Sequence, residues 1–318
     1  MYNNAAAVSR PEITELLEEA RDIEKFFIAE KLAPVKDVKA RAGRYPRLKL
    51  DNGQLMKRDV TKRGPTGTYT EIARKSDWDT YDCEDLGLTE RIDDSNAEEM
   101  KDFFDMEMIT SRLILRQMKI DMEIRTAELI QDPAEFTATA AAVAYTEANI
   151  ATIDFPRDVS DAIIRLEQTA VEANTMVIES KLWERIRRST KLQTYLFNNL
   201  NTVGSRLINP KDISEAFNGI EVLVAKANYD SANRAKTANL TSIWSPGYIW
   251  VGKTSGGAFE AGGAARTLVW GADSPGGLYT TETWRDEVRR GDMIRVRSHI
   301  SSKVIDASCG QIITTSYA

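Results

Sequence analysis

The sequence predicts an α+β protein that carries an extended arm and one long helix. Three observations support this prediction: a polar, basic stretch with turn signals over residues 44–81, helical apolar spacing from about Asn96 to Gln131, and a mixture of strands and helices beyond residue 154. A chain of 318 residues has room for about two domains and an extensive core.

The first part of the chain is predicted to form a helix followed by the arm. Residues 11–32 have apolar side chains at helical spacing, and Pro34 ends this helix. Within residues 44–81, Asn52-Gly53 favours a hairpin turn because both residues tolerate positive φ angles. Because the stretch is long, polar and basic, we expect a projecting β-arm rather than a strand of a core sheet.

A long helix is predicted after the arm. Asp93 to Asn96 supply capping side chains, with Ser95 or Asn96 as the residue that caps the helix, and Pro133 stops the apolar periodicity. A helix over residues 96–131 would be roughly 54 Å long at about 1.5 Å per residue. Such a length is long for a helix of a globular enzyme.

The rest of the chain is predicted to mix helices, loops and strands. Residues 134–151 have no clear pattern and are treated as a connection, residues 156–170 as a helix, and the glycine-rich stretch Ser255–Gly277 as a loop. Alternating apolar residues then predict three short strands, which are Met293–Ile300, Lys303–Ala307 and Gln311–Thr315.

Charge is distributed unevenly along the first third of the chain, although the net charge is only −6. Pro34–Lys75 holds twelve Lys and Arg residues against four Asp and Glu residues. Asp77–Glu107 holds thirteen Asp and Glu residues against two Lys and Arg residues. The two blocks are either solvated faces of one molecule or surfaces that meet between subunits.

One segment, Gly247–Thr254, matches the phosphate-binding pattern G-x-x-x-x-G-K-[ST]. Its four central residues are strong strand formers, and Gly256-Gly257 follows where the loop would need a helix. We therefore expect the end of a strand here. A nucleotide-binding enzyme that uses this segment is the alternative from another functional class.

The other candidate sites also have simpler structural interpretations. Five acids could hold a divalent cation, but their spacing matches no EF-hand loop, and four basic residues form a helix face that could contact DNA phosphates. The single histidine, His299, excludes a His-His metal site and is expected to be a plain structural or surface residue. The acids are Asp77, Asp79, Asp82, Glu84 and Asp85, and the basic residues are Arg185, Arg187, Arg188 and Lys191.

The two isolated cysteines, Cys83 and Cys309, fit reduced thiols better than a disulfide framework. The N-terminus lacks the pattern of a secretory signal, and no apolar run reaches the ~18 residues of a membrane span. We therefore expect a protein that is made in the cytosol and stays out of membranes. Because none of the candidate sites above has the residues of an active site, we also expect a protein that is not an enzyme, with no catalytic residue, metal or cofactor.

The stretch from Asn174 to Trp244 carries the most informative pattern. Its order is Asn174-Thr175, a short apolar strand, a helix that opens on Lys181-Leu182-Trp183, a second helix, the strand Glu221–Ala225, an Asn-rich loop and Ser242-Ile243-Trp244. This ordered series resembles the central part of tailed-bacteriophage major capsid proteins, which have the Hong Kong 97-like shell fold. Ala173 and Ser245 stand where that family often has Pro and Gly.

The resemblance implies an architecture for the whole chain. It implies an N-terminal arm over residues 1–43, an extended β-hairpin called the E-loop over 44–84, a peripheral domain with a long spine helix over 85–153 and 283–318, and an axial domain over 154–282. It also implies self-assembly into hexamers and pentamers. These would form the icosahedral head around double-stranded DNA, in a virion assembled in the host cytoplasm.

The partners implied by the resemblance are further copies of the chain, portal, scaffold or decoration proteins, and packaged DNA in non-specific contact. An encapsulin-type compartment, which shares the fold and encloses cargo protein, is the nearest alternative. A tail or adhesion protein built from the β-rich arm is a further one.

The resemblance also gives the charge blocks a role. Because an E-loop of this fold lies over the peripheral domain of a neighbouring subunit, we expect the basic arm to contact acidic residues of that neighbouring subunit. The basic residues are Lys49, Lys57, Arg58, Lys62 and Arg63, and the acidic partners are Asp94, Glu98, Glu99 and Asp102.

Overall fold

Two large β-sheets and the helices packed on them form the framework of the molecule.

Among the residues that the structure describes, no helix is both long enough and apolar enough to cross a membrane. The structure is a computed structural model, and it describes residues 8–9, 26–47, 61–63, 67–69, 77–100, 105–197, 208–232, 236–256, 262–272 and 277–317.

Helices and strands alternate along these described ranges. The α-helices are α1 (Ala29–Leu32), α2 (Asp94–Met100), α3 (Met106–Ile130), α4 (Phe155–Gln168), α5 (Ser180–Ile186), α6 (Thr190–Phe197) and α7 (Pro210–Ala216). The strands are β1 (Val8–Ser9), β2 (Val35–Val38), β3 (Ala42–Arg47), β4 (Asp77–Asp82), β5 (Glu84–Asp93), β6 (Thr137–Ala140), β7 (Thr175–Glu179), β8 (Glu221–Ala225), β9 (Asn228–Asp230), β10 (Leu240–Ser242), β11 (Tyr248–Gly252), β12 (Ala265–Trp270), β13 (Thr280–Asp286), β14 (Gly291–Val304) and β15 (Gly310–Thr314).

Strand β14 organises the first sheet, whose order is β1-β13-β14-β12-β2, with β5 also paired to β14. β14 pairs with β5 from Gly291 to Ile300 and then with β12 from Ile300 to Val304. The prediction of separate strands at 293–300 and 303–307 was therefore wrong. The chain stays extended through Ser301 and Ser302 because a partner strand continues to accept and donate hydrogen bonds there.

The second sheet has the order β6-β15-β11-β7-β8. β7 and β8 run parallel and are joined through α5, α6 and α7, as the predicted strand–helix–strand series requires. The strand predicted at Glu221–Ala225 is confirmed, and α4 confirms the helix predicted at 156–170 to within two residues. β6 lies inside the supposed connection 134–151, where its Thr and Ala residues gave no clear apolar signal.

The glycine-rich stretch Ser255–Gly277 is not a continuous loop, because it contains β12. β12 lies between β14 and β2, and five of its six residues are buried. Such burial on both faces removes the alternation that identifies a strand in a sequence. The glycines on either side led to the prediction of a loop, although they only flank the strand.

The predicted long helix is two helices in the structure. Asp105 has an extended backbone, with φ −80° and ψ 101°, and its carboxylate accepts a hydrogen bond from the amide of Met108, so a new helix begins after it. Asp93, a member of the predicted capping series, accepts from the amide of Ser95, whereas the choice of Ser95 or Asn96 as the cap was wrong because both lie inside α2. The remaining helix, α3, has 25 residues and spans roughly 38 Å.

Helices pack on both sheets. On the first sheet, Ile114 and Met118 of α3 pack with Ile294 and Val296 of β14. On the second sheet, α4 to α7 contribute to a large apolar cluster whose fully buried centre includes Phe155, from α4. A third apolar cluster joins the two sheets, because Ala265 of β12 and Val304 of β14 pack in the same core as Trp250 of β11 and Ile312 of β15.

Both thiols are expected to be unreactive in the folded protein. Cys83 and Cys309 are free and buried, and burial raises the pKa of Cys83 and raises that of Cys309 to about 11, from an ordinary value of 9.0. Since only the thiolate reacts, a disulfide reagent at pH 8 should modify the unfolded chain in urea at least tenfold faster than the folded chain. Equal rates would contradict the burial.

The same shift gives the sign of a pH effect. The folded state holds the Cys309 thiol neutral while the unfolded chain ionises near pH 9, so this contribution to stability is complete below that pH and is lost as the pH rises toward 11.

Candidate subunit-contact surface

The base of the predicted arm is the antiparallel hairpin of β3 and β4, paired from Ala42↔Asp82 to Arg47↔Asp77. Tyr45 anchors this hairpin, because its buried hydroxyl donates to the carbonyl of Val304 at 3.1 Å and lies 3.2 Å from the carboxylate of Asp79. Burial, together with the charge of Asp79, raises the pKa of Tyr45. Tyr45 therefore fixes this hairpin against β14 of the first sheet.

The arm carries exposed aromatic and basic side chains. The exposed fraction is 61% for Trp78 and 72% for Tyr69, and the guanidinium of Arg63 lies 5.1 Å from the ring centre of Tyr69. Arg63 and Lys62 are themselves exposed. Residues of these types are common anchors of protein interfaces. The other predicted basic contacts, Lys49, Lys57 and Arg58, and the predicted turn Asn52-Gly53 lie outside the described residues.

The predicted acidic partners lie on α2, except for Asp102, which is outside the described residues. Glu98 and Glu99 are exposed. Asp94 is engaged within its own chain, because both of its carboxylate oxygens lie 2.6 Å from the guanidinium of Arg285. The hydrogen bonds and charge of Arg285 lower the pKa of Asp94. The sequence did not reveal this pair, since the two residues are 191 positions apart.

The segment that matches the phosphate-binding pattern does not have the geometry of a phosphate site. Its first part is β11, which pairs with β15 on one side and β7 on the other. Lys253 donates its amide to the carbonyl of Cys309, and Thr254 donates its amide to the side chain of Asn174. Residues 253–256 are not helical. The amides that would have to surround a phosphate are therefore already used, which confirms the predicted strand end.

The acidic residues around β4 are not gathered into a metal site. Across the described ranges, no group of three or more Asp, Glu, His or Cys side chains is placed to hold a metal ion. The described members of the predicted cluster instead face separate partners. These pairs are Asp79 with Arg47, Asp82 with Arg41, Glu84 with Arg125 and Asp85 with His299.

The basic face predicted on the helix after β7 is largely neutralised within the chain. Arg188 forms a two-point ion pair with Glu147, at 2.8 and 2.9 Å, and Lys191 lies 2.7 Å from Asp154. Arg185 is buried and donates to the carbonyl of Tyr145. Arg187 pairs with Glu184. These contacts favour an ordinary structural surface over a site that binds DNA phosphates.

His299 has the structural role that the sequence predicted. It is buried in β14, and its ring packs edge-on against Trp270 with the ring centres 5.5 Å apart. Nε2 of His299 lies 3.5 Å from the carboxylate of Asp85.

Among the described residues from Asn174 to Trp244, Glu179 and Trp244 are buried and have structural roles. Glu179, at the end of β7, accepts hydrogen bonds from the amides of Lys181 and Leu182 and so caps α5. It also accepts from the hydroxyl of Ser242, which links the two ends of the motif. Trp244 is fully buried, and its indole nitrogen donates to Glu123 of α3 at 2.7 Å.

Sequence reasoning missed Glu123, which is fully buried. It also accepts hydrogen bonds from the backbone amides of Ile28 and Ala29. Burial raises the pKa of Glu123, and these donors oppose the shift. A lone glutamate in a long helix gives no signal, because glutamate is a common surface residue of helices.

Comparison with known proteins identifies the fold. No protein-family profile and no curated protein sequence matches the chain. Among solved structures, a phage-related protein from Bordetella bronchiseptica RB50 matches with a TM-score of 0.72 and 16% identity, over 98% of each chain. The capsid of cyanophage P-SCSP1u matches with a TM-score of 0.62 and 12% identity, over 92% of this chain and 88% of that one. The chain has the fold of tailed-phage capsid proteins.

The same fold occurs in another kind of protein shell. The encapsulin complex of Synechococcus elongatus PCC 7942 matches with a TM-score of 0.50 and 14% identity, over 90% of this chain and 85% of the encapsulin chain. The capsid fold thus agrees with the resemblance of the Asn174–Trp244 series.

Proposed function

We propose that the chain is the major capsid protein of a tailed phage or of a related DNA-carrying particle. The observation that carries the proposal is the match of almost the whole chain to a phage-related protein and to a cyanophage capsid. Copies would form hexamers and pentamers that close into an icosahedral head around double-stranded DNA. Head-to-tail contacts between identical subunits produce a closed assembly when their rotation closes on itself.

In this proposal the chain works as a structural subunit without a cofactor. Residues 1–43 would be the N-terminal arm, 44–84 the E-loop, 85–153 with 283–318 the peripheral domain, and 154–282 the axial domain. Strand pairing crosses these blocks, since β12 belongs to the first sheet and β15 to the second. The DNA would be held by non-specific, salt-sensitive contact. Portal, scaffold or decoration proteins would be further partners, and the virion would assemble in the host cytoplasm.

The deciding experiment is electron microscopy of the protein expressed alone and in the presence of the neighbouring genes of its source. We expect closed, uniform particles tens of nanometres across, or rings of subunits. Nucleic acid extracted from nuclease-treated particles would support a DNA-filled head. A cargo enzyme in place of DNA would support the encapsulin alternative, which the Synechococcus match favours. A monomer under both conditions would contradict a shell of either kind.

A charge reversal tests the contact between subunits that the charge blocks suggest. Arg58→Glu combined with Arg63→Glu is expected to weaken or block assembly, because it places acid against Glu98 and Glu99 of the next subunit. Each exposed pair contributes only ~0.2–1 kcal/mol, but a shell repeats the contact in every subunit. High salt should have the same effect on the unaltered protein. Particle yield by sedimentation is the measurement.

The matched control reverses two exposed charges elsewhere, Arg157→Glu with Lys211→Glu, and should assemble normally. Adding Glu98→Lys and Glu99→Lys to the arm variant should restore assembly if the two blocks meet. Normal particles from the arm variant, or no restoration by the second pair, would show that the arm rests elsewhere.

A further inference from the structure

Glu123 joins three separate parts of the chain. Its Oε1 accepts from the indole nitrogen of Trp244 at 2.7 Å, and its Oε2 accepts from the amide nitrogens of Ile28 at 3.0 Å and Ala29 at 2.9 Å. Ile28 and Ala29 lead through α1 into β2 of the first sheet, whereas Trp244 precedes β11 of the second sheet. One carboxylate on α3 therefore holds a segment of each sheet.

The chemistry of the site requires a carboxylate. A carboxylate only accepts hydrogen bonds, and here both of its oxygens face N–H donors. A glutamine of the same shape offers one accepting oxygen, so its NH2 group would face either the indole N–H of Trp244 or the amides of Ile28 and Ala29. Burying a charged carboxylate is unfavourable unless donors satisfy it. A glutamate therefore satisfies all of the N–H donors at this position, whereas a glutamine would leave at least one of them without an acceptor.

The N-terminal segment combines this polar contact with apolar anchors, because Ile28, Ala29 and Leu32 are buried. α1 has only four residues, and a helix of that length does not hold its shape without a tertiary contact. The amides of Ile28 and Ala29 are its first donors, and they point at Glu123. A cavity beside the carboxylate, lined by Phe27, Lys119 and Met122 among others, gives the segment room to shift when the contact is broken.

We propose that Glu123 is a positioning residue that fixes the N-terminal segment and the chain before β11 against α3, and thereby sets the orientation of one sheet relative to the other. The consequence for assembly rests on the proposed function. A closed shell needs subunits of one shape, so subunits in which this joint is loose should build particles of mixed size.

The first test uses the unaltered, unassembled subunit. The amide protons of Ile28 and Ala29 and the indole proton of Trp244 share one acceptor, so they should exchange with solvent through a common opening. Hydrogen exchange followed by NMR should give protection factors that agree within about tenfold. Protection factors that differ by a hundredfold or more would show that the carboxylate does not act as a single joint.

The second test compares Glu123→Gln with Glu128→Gln, which alters an exposed glutamate on the same helix. In Glu123→Gln the protection of Ile28, Ala29 or the Trp244 indole should fall about tenfold or more relative to amides of β14. Glu128→Gln should leave all of them unchanged. Unchanged protection in Glu123→Gln, or an equal loss in both variants, would overturn the proposal.

Particle size separates this proposal from the proposed function. If Glu123→Gln loses protection and its particles vary more in diameter than those of the unaltered protein, both proposals hold. If protection is lost but neither protein makes particles, the positioning role stands and the shell function fails. If uniform particles form and protection is unchanged, the shell function stands and the role of Glu123 fails.

Discussion

Gly252→Ala is expected to lower the free energy of unfolding by about 3 kcal/mol, at the upper end of the usual range for overpacking a core. A Cβ atom at this position would overlap the carbonyl oxygen of Cys309 and lie 2.5–2.7 Å from ring carbons of Trp250. The carbonyl belongs to the backbone next to β15 and cannot move aside, and Trp250 is fully buried and packs edge-on against Phe136. Urea denaturation followed by tryptophan fluorescence measures the loss.

The control for this variant is Gly256→Ala, four residues along the same segment. A Cβ atom there would meet nothing within 4 Å, so the stability should change by less than about 0.5 kcal/mol. If Gly252→Ala is as stable as the control, β11 and the backbone at Cys309 can move apart to admit a methyl group, and the close approach of Gly252 to Cys309 does not limit the residue at this position. The same crowding explains why Gly310, the cross-strand partner of Gly252, is also a glycine.

Phe155→Ala is expected to cost about 3–5 kcal/mol, because it leaves a cavity at the centre of the core on the second sheet. Phe155 is fully buried at the start of α4, and its ring packs edge-on against Phe217 with the centres 6.3 Å apart. The closely packed surroundings can fill only part of the lost volume. Thermal and urea unfolding of the unassembled subunit measure the effect.

A second substitution on the same helix provides the comparison. Ile164 is 49% exposed, so Ile164→Ala should lower stability by less than about 1 kcal/mol. A Phe155→Ala loss no greater than that of Ile164→Ala would mean that α4 is not fixed by its buried end. In that case the helix layer would contribute little to the stability of the second sheet.

The parts of the fold that the sequence predicted are those with a local signal. β8 and α4 have apolar residues at strand or helical spacing, and the predicted bounds agree with the structure to within two residues. β12 was missed because it is buried on both faces and flanked by glycines. The long helix was overextended because Asp105, an ordinary acidic residue in the sequence, interrupts it as a cap. Caps in the middle of a helical pattern cannot be distinguished from surface residues without the backbone.

The candidate contact surface was less predictable than the fold. The contact between the basic residues and the acidic residues of α2 was predicted from charge counts and stays a prediction, and Lys62, Arg63, Glu98 and Glu99 are exposed as a contact surface requires. The bond between Asp94 and Arg285 was not predictable, because a partner so distant in the sequence is set by the strand register. The same reason hid Glu123, whose three donors come from residues 94–121 positions away.

The exchange of strands between the two sheets has a mechanical consequence. The chain passes from β11 in the second sheet to β12, β13 and β14 in the first, and then returns to the second sheet as β15, beside β11. Pulling the sheets apart would therefore have to strip β15 from between β6 and β11, breaking backbone hydrogen bonds on both of its sides. A force that separates the two sheets would therefore be carried within the subunit as tension in paired strands.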